Sequence, residues 1–98
     1  ELHREYPFTV LLAGGDPLPE TEMGEQILIQ GFIDCLFRED DAWILVDYKS
    51  DRLETADAFR RRYAVQLALY KRAVEQITHR PVEETYIYSL HLQQEIRL

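Results

Sequence analysis

Asp47, Lys49 and Asp51 occupy alternate positions in the run ILVDYKSD, residues 44–51. Alternate residues of a strand leave the same face of a sheet. The spacing would therefore line up an acid, a base and an acid at the end of an apolar segment. A further carboxylate, Asp34, lies in GFIDCLF, residues 31–37, and REDD at 38–41 separates the two runs as a hairpin signal. If that hairpin turns between Asp40 and Asp41, opposed residue numbers add to 81 and Asp34 faces Asp47. Carboxylates directly opposite one another repel, and Gly31, Phe32, Ile33, Leu36, Leu45 and Val46 would keep them poorly solvated. Such a pair persists by sharing a proton or by holding a cation. A hard divalent ion such as magnesium, which keeps several waters of its own, suits two carboxylates with few other protein ligands. Lys49 lies two residues and roughly 6–7 Å beyond Asp47. There it can hold a water, help to deprotonate it, or neutralise charge on a phosphate. A salt-bridged strand end, with Lys49 paired to Asp47 or Asp51, is the plainer reading; it explains the lysine and leaves Asp34 without a reason.

The elements that must position these groups follow from pattern and punctuation. YPFTVLLAG (6–14) reads as a strand closed by GGDP, and GDPLPETEMGE (15–25) as a polar loop. QILIQGFIDCLF (26–37) and AWILVDYKS (42–50) are strand-forming runs. One helix is expected over about 56–78, with Thr55 or Asp57 as N-cap and RPV as its end. Its stripe is Phe59, Tyr63, Leu67, Tyr70, Val74 and Ile77. Gln66 falls on the same face as Tyr63 and Tyr70, where a glutamine and a phenol need polar partners. ETYIYSL (84–90) and LQQEIRL (92–98) read as two more short strands. Strands, one helix, then strands predict an α/β sheet domain.

Composition sets the class. Ninety-eight residues, 46% hydrophobic and 30% charged, make one small globular domain. No apolar run reaches the roughly 20 residues of a membrane span. A single cysteine, Cys35, excludes an internal disulfide and a cysteine-held cluster within the chain, and it suits the cytoplasm. The chain opens at Glu1 without methionine and is expected to be an excised piece of something larger. The net charge of −7 opposes nucleic-acid binding, but it is unevenly spread. Residues 1–48 hold eleven acids against Arg4 and Arg38, whereas residues 49–80 hold eight bases against four acids. A cation-binding and a phosphate-binding face can thus coexist, since local charge sets local potential.

GFID, VDYKS across the hairpin, then QLALY on the helix together resemble the RecB-like branch of the PD-(D/E)xK nucleases, the likeness running from REYPF to about residue 72. It is closest to the C-terminal nuclease domain of AddA-type ATP-dependent helicase/nuclease subunits. The resemblance implies a restriction-endonuclease-like mixed sheet with a flanking helix, residues 1–98 being a single fragment of the full nuclease domain. It implies a magnesium-dependent DNA exonuclease or endonuclease acting in double-strand-break repair and recombination. The implied partners are DNA, a helicase motor in the same parent chain and a second helicase/nuclease subunit, with no membrane. Asp34 and Asp47 would be metal ligands, with the Tyr48 carbonyl a third. Lys49 would be the catalytic lysine, and Gln66 and Tyr70 would support the site. Glu5 in EYPF matches a glutamate near the family's active site. Three departures stand out. Ser50 replaces the common threonine. An upstream helix with a further ligand, commonly histidine, is not in the chain, and His3, His79 and His91 match no motif. The iron–sulfur cysteines of some relatives are absent. The isolated piece is therefore expected to be catalytically incomplete. The rival readings are an inactive nuclease fold serving as an interaction module, and a stand-alone phage-type exonuclease.

Overall fold

The computed structural model describes residues 1–15, 18–20 and 24–98, so parts of the expected loop at 15–25 lie outside the described residues. Five strands form one mixed sheet in chain order: β1 (Leu2–Ala13), β2 (Gln26–Glu39), β3 (Ala42–Lys49), β4 (Val82–Ser89) and β5 (Gln94–Arg97). All neighbours are antiparallel except β3 and β4, which run parallel and are joined through the helix α1 (Ala56–Thr78). A parallel pair needs such a crossover, because a tight turn cannot return the chain to the same end of the sheet.

The β2–β3 hairpin closes with Glu39 opposite Ala42, so Asp40 and Asp41 form a two-residue turn. Asp40 takes a φ of 55°, the positive value that twisted hairpin turns require and that aspartate tolerates. The register is therefore the expected one, with Leu36 opposite Leu45 and Cys35 opposite Val46. β1 starts earlier than the sequence pattern suggests, at Leu2, because its polar first residues still pair with Arg4 opposite Cys35 and Leu2 opposite Phe37.

Helix α1 begins at Thr55, whose hydroxyl accepts the Ala58 N–H at 3.1 Å. It ends at His79, which takes a left-handed φ of 58° and donates its N–H to the Glu75 carbonyl, with Pro81 barring continuation. Phe59, Leu67, Ala73 and Val74 are its buried face, packed with Phe8, Leu12, Ile33, Leu36, Leu45 and Ile87 from the sheet. Ile77 is a correction to the expected stripe: it is 38% exposed, and Ala73 and Val74 take the inner positions at this end of the helix. Polar ties hold that turn down. Trp43 Nε1 donates to Thr78 Oγ1 at 2.9 Å, and the Val82 N–H donates to Glu75 Oε2 at 2.9 Å.

Candidate active site

The site forms where the sheet ladders open. Pairing between β1 and β2 runs from Leu2 to Ala13 except at Glu5 and Asp34, and pairing between β2 and β3 stops at Cys35 and Val46. Extending both registers by one residue places Glu5, Asp34 and Asp47 in a single row across three strands. Glu5 has a φ of 51°, a left-handed conformation that costs a non-glycine residue and breaks its ladder position. Ile33 and Leu36, one odd and one even, are both fully buried. The side of β2 that faces the helix therefore changes phase between them, as in a bulge. Asp34 sits in that change of phase. With its backbone partners lost, its carboxylate takes up the next free donor: the Tyr48 N–H donates to Asp34 Oδ2 at 2.9 Å.

Asp47 is buried, at 4% exposure, directly after the apolar stretch of β3. Burial pushes its pKa up to about 6, helped by a hydrogen bond with the Asp34 carboxyl and opposed by Lys49. The two carboxyls thus meet on one face, as the hairpin register requires. Lys49 Nζ approaches Asp47 Oδ2 at 2.9 Å. It does so outside hydrogen-bond geometry, so this buried oxygen has no properly directed donor. Burial alone would lower the Lys49 pKa, but its contact with Asp47 and the nearby phenols leaves it raised, and the side chain is a cation at neutral pH.

An undirected, buried carboxylate oxygen beside a second carboxyl fits a divalent cation, which accepts lone pairs without the angular demands of an N–H donor. Among the described residues no group of three or more His, Cys, Asp and Glu side chains is placed around one point, so the chain offers the pair and not a full cage. That is the donor set magnesium uses when waters complete its shell. Tyr48, whose carbonyl the family resemblance implies as a third ligand, turns its exposed ring outward beside Tyr88, 6.3 Å between centroids. A concavity of about 390 Å³ lined by Glu5, Phe32 and Asp34 adjoins the Asp34 side of the pair, whereas Asp47 stays buried. Phe32 is 66% exposed, so the surroundings are wetter on this side than the run of apolar residues suggests.

Gln66 and Tyr70 lie on the inner side of α1. Gln66 Nε2 donates to Tyr70 Oη at 3.0 Å, and the Tyr70 ring packs edge-on against Phe8. Gly31 shows why a glycine precedes Asp34 by three: a Cβ there would lie 3.2 Å from Tyr70 Oη and 3.4 Å from the Phe8 ring. The G-x-x-D and Q-x-x-x-Y motifs, 35 residues apart from Gly31 to Gln66, are thus in direct contact through Gly31 and Tyr70. Arg60, Arg61 and Lys71 are exposed, although Arg60 and Lys71 flank a concavity shared with Leu67, Thr85 and Leu98, and Arg60 Nε donates to the Arg97 carbonyl at 3.0 Å. The histidines stay outside the site: His3 lies between Tyr6 and Trp43, His79 ends the helix, and His91 pairs with Glu54.

One neighbour of Lys49 is not singled out by the sequence pattern. The ammonium stands 4.3 Å from the centre of the Tyr63 ring, and Tyr63 Oη donates to Asp51 Oδ2 at 2.7 Å. Periodicity assigns Tyr63 to the apolar stripe; its place one turn before Gln66 on the same face is the available signal.

Among relatives, the chain is 44% identical over 102 aligned residues to the A subunit of the ATP-dependent helicase/nuclease of Carboxydothermus hydrogenoformans, covering 100% of this chain and 9% of that protein. It is 41% identical over 96 residues to the protein of the same name from Oceanobacillus iheyensis, covering 90% and 8%, and 42% identical over 99 residues to that of Syntrophomonas wolfei, covering 99% and 8%. The chain therefore spans less than a tenth of the length of these relatives. The family model of the PD-(D/E)XK nuclease superfamily matches residues 1–96, taking in both aspartates, the lysine and the helix. A five-stranded mixed sheet with one flanking helix is consistent with the restriction-endonuclease-like fold, and on this match the chain belongs to the PD-(D/E)XK nuclease superfamily.

Proposed function

We propose that the chain is the catalytic core of a magnesium-dependent deoxyribonuclease domain within an ATP-dependent helicase/nuclease subunit. The observation that supports this most directly is the buried Asp47 oxygen that lacks a directed donor, set beside Asp34 and 2.9 Å from Lys49. The names of the relatives favour a helicase motor in the same protein over a stand-alone exonuclease. In this reading the intact protein works in the cytoplasm with a second helicase/nuclease subunit, and it trims DNA ends in double-strand-break repair and recombination.

Asp34 and Asp47, with the Tyr48 carbonyl, would hold the ion. The ion when bound supplies Lewis-acid stabilisation of charge on the scissile phosphate and a more acidic water. Asp34 is kept in place by the Tyr48 N–H and Asp47 by the rigid end of β3. Lys49, held as a cation on the same face, orients the attacking water and offsets negative charge as the phosphorus–oxygen bond breaks. Gln66 and Tyr70 act as positioning residues: their mutual hydrogen bond and the Gly31 contact fix the helix over the opened strands. Sequence-independent DNA contact suits Arg52, which lines a concavity of about 360 Å³ with Ser50, Leu90 and His91 just past the end of β3.

The test is made in the full-length protein. Asp47→Ala and Lys49→Ala should each lower magnesium-dependent cleavage of DNA at least about 100-fold while leaving DNA binding and ATP-driven unwinding in place. Unchanged cleavage in both variants would replace the enzyme with an inactive nuclease fold serving as an interaction module.

A further inference from the structure

Lys49 reaches the site from the end of a strand, on a long side chain with about 2 kcal/mol of rotamer freedom to lose. Something must hold its ammonium beside Asp47, and Asp47 alone is a poor anchor. The two meet at 2.9 Å, but the Asp47 carboxylate would be drawn into metal binding in the reading proposed above. A second seat is visible. Lys49 Nζ lies over the face of Tyr63, 4.3 Å from the ring centre, within the range of a cation–π contact and shielded so that only 17% of the lysine side chain is exposed.

The ring is itself held by its neighbours. Its hydroxyl donates to Asp51 Oδ2 at 2.7 Å. It stacks with Phe59, which is wholly buried, at 6.5 Å between centroids and 25° between planes, and the Arg62 guanidinium lies 5.8 Å from its centre. Asp51 Oδ2 is held in turn by Arg62 Nε at 3.3 Å. Asp51 lies two residues after Lys49, and Tyr63 and Arg62 are neighbours on the first turns of α1. The set therefore links the end of β3 to the helix through side chains alone. A phenol that donates to a carboxylate is richer in electrons at its ring face, which strengthens its hold on a cation. The Tyr63 phenol is kept in its protonated, donating form, because burial and the Asp51 bond both raise its pKa.

We propose that Tyr63 is the positioning residue for Lys49, its ring face holding the ammonium over the paired aspartates while Asp51 locks the ring. This rests on the nuclease reading only for its kinetic consequence; the seat itself is a property of the protein without DNA or metal. Tyr63→Leu removes the ring, Tyr63→Phe keeps the ring and removes the bond to Asp51, and Asp51→Asn keeps an acceptor without the charge.

The full-length protein is assayed in three ways. Lysine footprinting measures the acetylation rate of Lys49 by mass spectrometry without metal or DNA. Calorimetry measures magnesium affinity without DNA, and steady-state kinetics separates kcat from KM. Tyr63→Leu should raise the acetylation rate of Lys49 several-fold and lower kcat about 10-fold, the scale of a shielded cation–π contact, with KM and magnesium affinity unchanged. Tyr63→Phe should stay within a few-fold of the parent in both acetylation and kcat, and Asp51→Asn, which keeps an acceptor, should lie no further from the parent than Tyr63→Phe. Two results would overturn the proposal: an unchanged Lys49 acetylation rate in Tyr63→Leu, or a loss of magnesium affinity matching the loss of kcat, which would make Tyr63 a general support of the fold. Failure of the nuclease reading is seen separately, as persistent cleavage in Asp47→Ala, and leaves the footprinting arm readable.

Discussion

At the scale of single residues the site is an electrostatic conflict held in place by covalent neighbours. Asp47 follows Leu45 and Val46 in a strand whose burial is set by packing, so its carboxylate is taken out of water whatever its charge state. Folding raises its pKa from 3.8 to about 6, so the folded chain binds a proton there more tightly than the unfolded one. The sign follows from linkage: this contribution to stability is complete below about pH 4, shrinks as the pH rises through the interval up to about 6, and is gone above it. Two pKa units correspond to about 3 kcal/mol as an upper bound. Asp47→Asn in metal-free buffer should therefore stabilise the protein at pH 8 by on the order of 1–3 kcal/mol and have little effect at pH 4. Urea unfolding at the two pH values reads this directly; equal effects at both would mean that Asp47 is not charged at a cost. A divalent cation should reverse the penalty. At a concentration 100 times its Kd, magnesium should add about 2.7 kcal/mol of stability at pH 8. That gain should fade below about pH 6 as Asp47 takes up its proton, and Asp47→Asn should abolish most of it. Thermal shift with and without magnesium across pH 5–8 checks both statements.

At the scale of elements, two motifs distant in sequence are built to touch. Gly31 lets Tyr70 Oη come against β2, and α1 is held over β1 at its other end by Arg72, which donates to the Ala13 and Gly15 carbonyls, and by Gln76, which donates to the Leu11 carbonyl. Gly31→Ala should cost about 1 kcal/mol of stability by displacing the phenol, and it should lower cleavage more than that loss of folded protein explains. Denaturant midpoints paired with kcat on the same samples would separate the two; a loss of activity wholly accounted for by unfolding would leave Gly31 a packing residue. Glu5 poses the opposite case. Its left-handed backbone would suit glycine, so Glu5→Gly should keep or raise stability by up to about 1 kcal/mol, whereas Glu5→Ala should not. Much of this was legible beforehand. A two-residue turn at Asp40 and Asp41 fixes the register arithmetically, and an i, i+2 rule then sets Asp47 and Lys49 on one face. The helix bounds follow from Thr55 and from RPV at 80–82, where capping and proline chemistry are local. What resisted reading depends on long-range geometry. No local signal marks the left-handed turn at Glu5 or the change of phase in β2. Tyr63 looks like any core aromatic until the strand end beneath it is known, and Ile77 keeps helical phase although Ala73 and Val74 fill the inner positions there.

At the scale of the whole molecule, the proposed function would set a chain of net charge −7 on a polyanion. The sheet brings acids of the first half together at the opened ladders, where they would meet a cation, and the bases cluster along α1 and the segment leading to it. Many of these bases are already committed. Arg60 pairs with Asp57, Arg62 with Asp51 and Arg80 with Asp41, while Arg72 binds backbone carbonyls. Arg52 and Arg61 are exposed and make no ion pair among the described residues, and Arg52 stands just past the strand that ends in Asp47 and Lys49. Arg4, next to Glu5, is likewise exposed without an ion pair among the described residues, but Arg52 and Arg61 lie in the basic second half of the chain and are the two assigned to DNA phosphates. If each takes one, replacing both with glutamine should weaken DNA binding uniformly across sequences and flatten the dependence of log K on log salt by about 1.4 to 1.8, single strands at the lower value. Magnesium affinity should not change, since neither guanidinium touches the aspartates. The measurement is fluorescence anisotropy on the full-length protein carrying Asp47→Ala, so that the DNA is not consumed, at several salt concentrations from 50 to about 200 mM. A salt dependence identical to that of the arginine-bearing protein would remove Arg52 and Arg61 from the DNA path and move phosphate recognition to surfaces outside this chain.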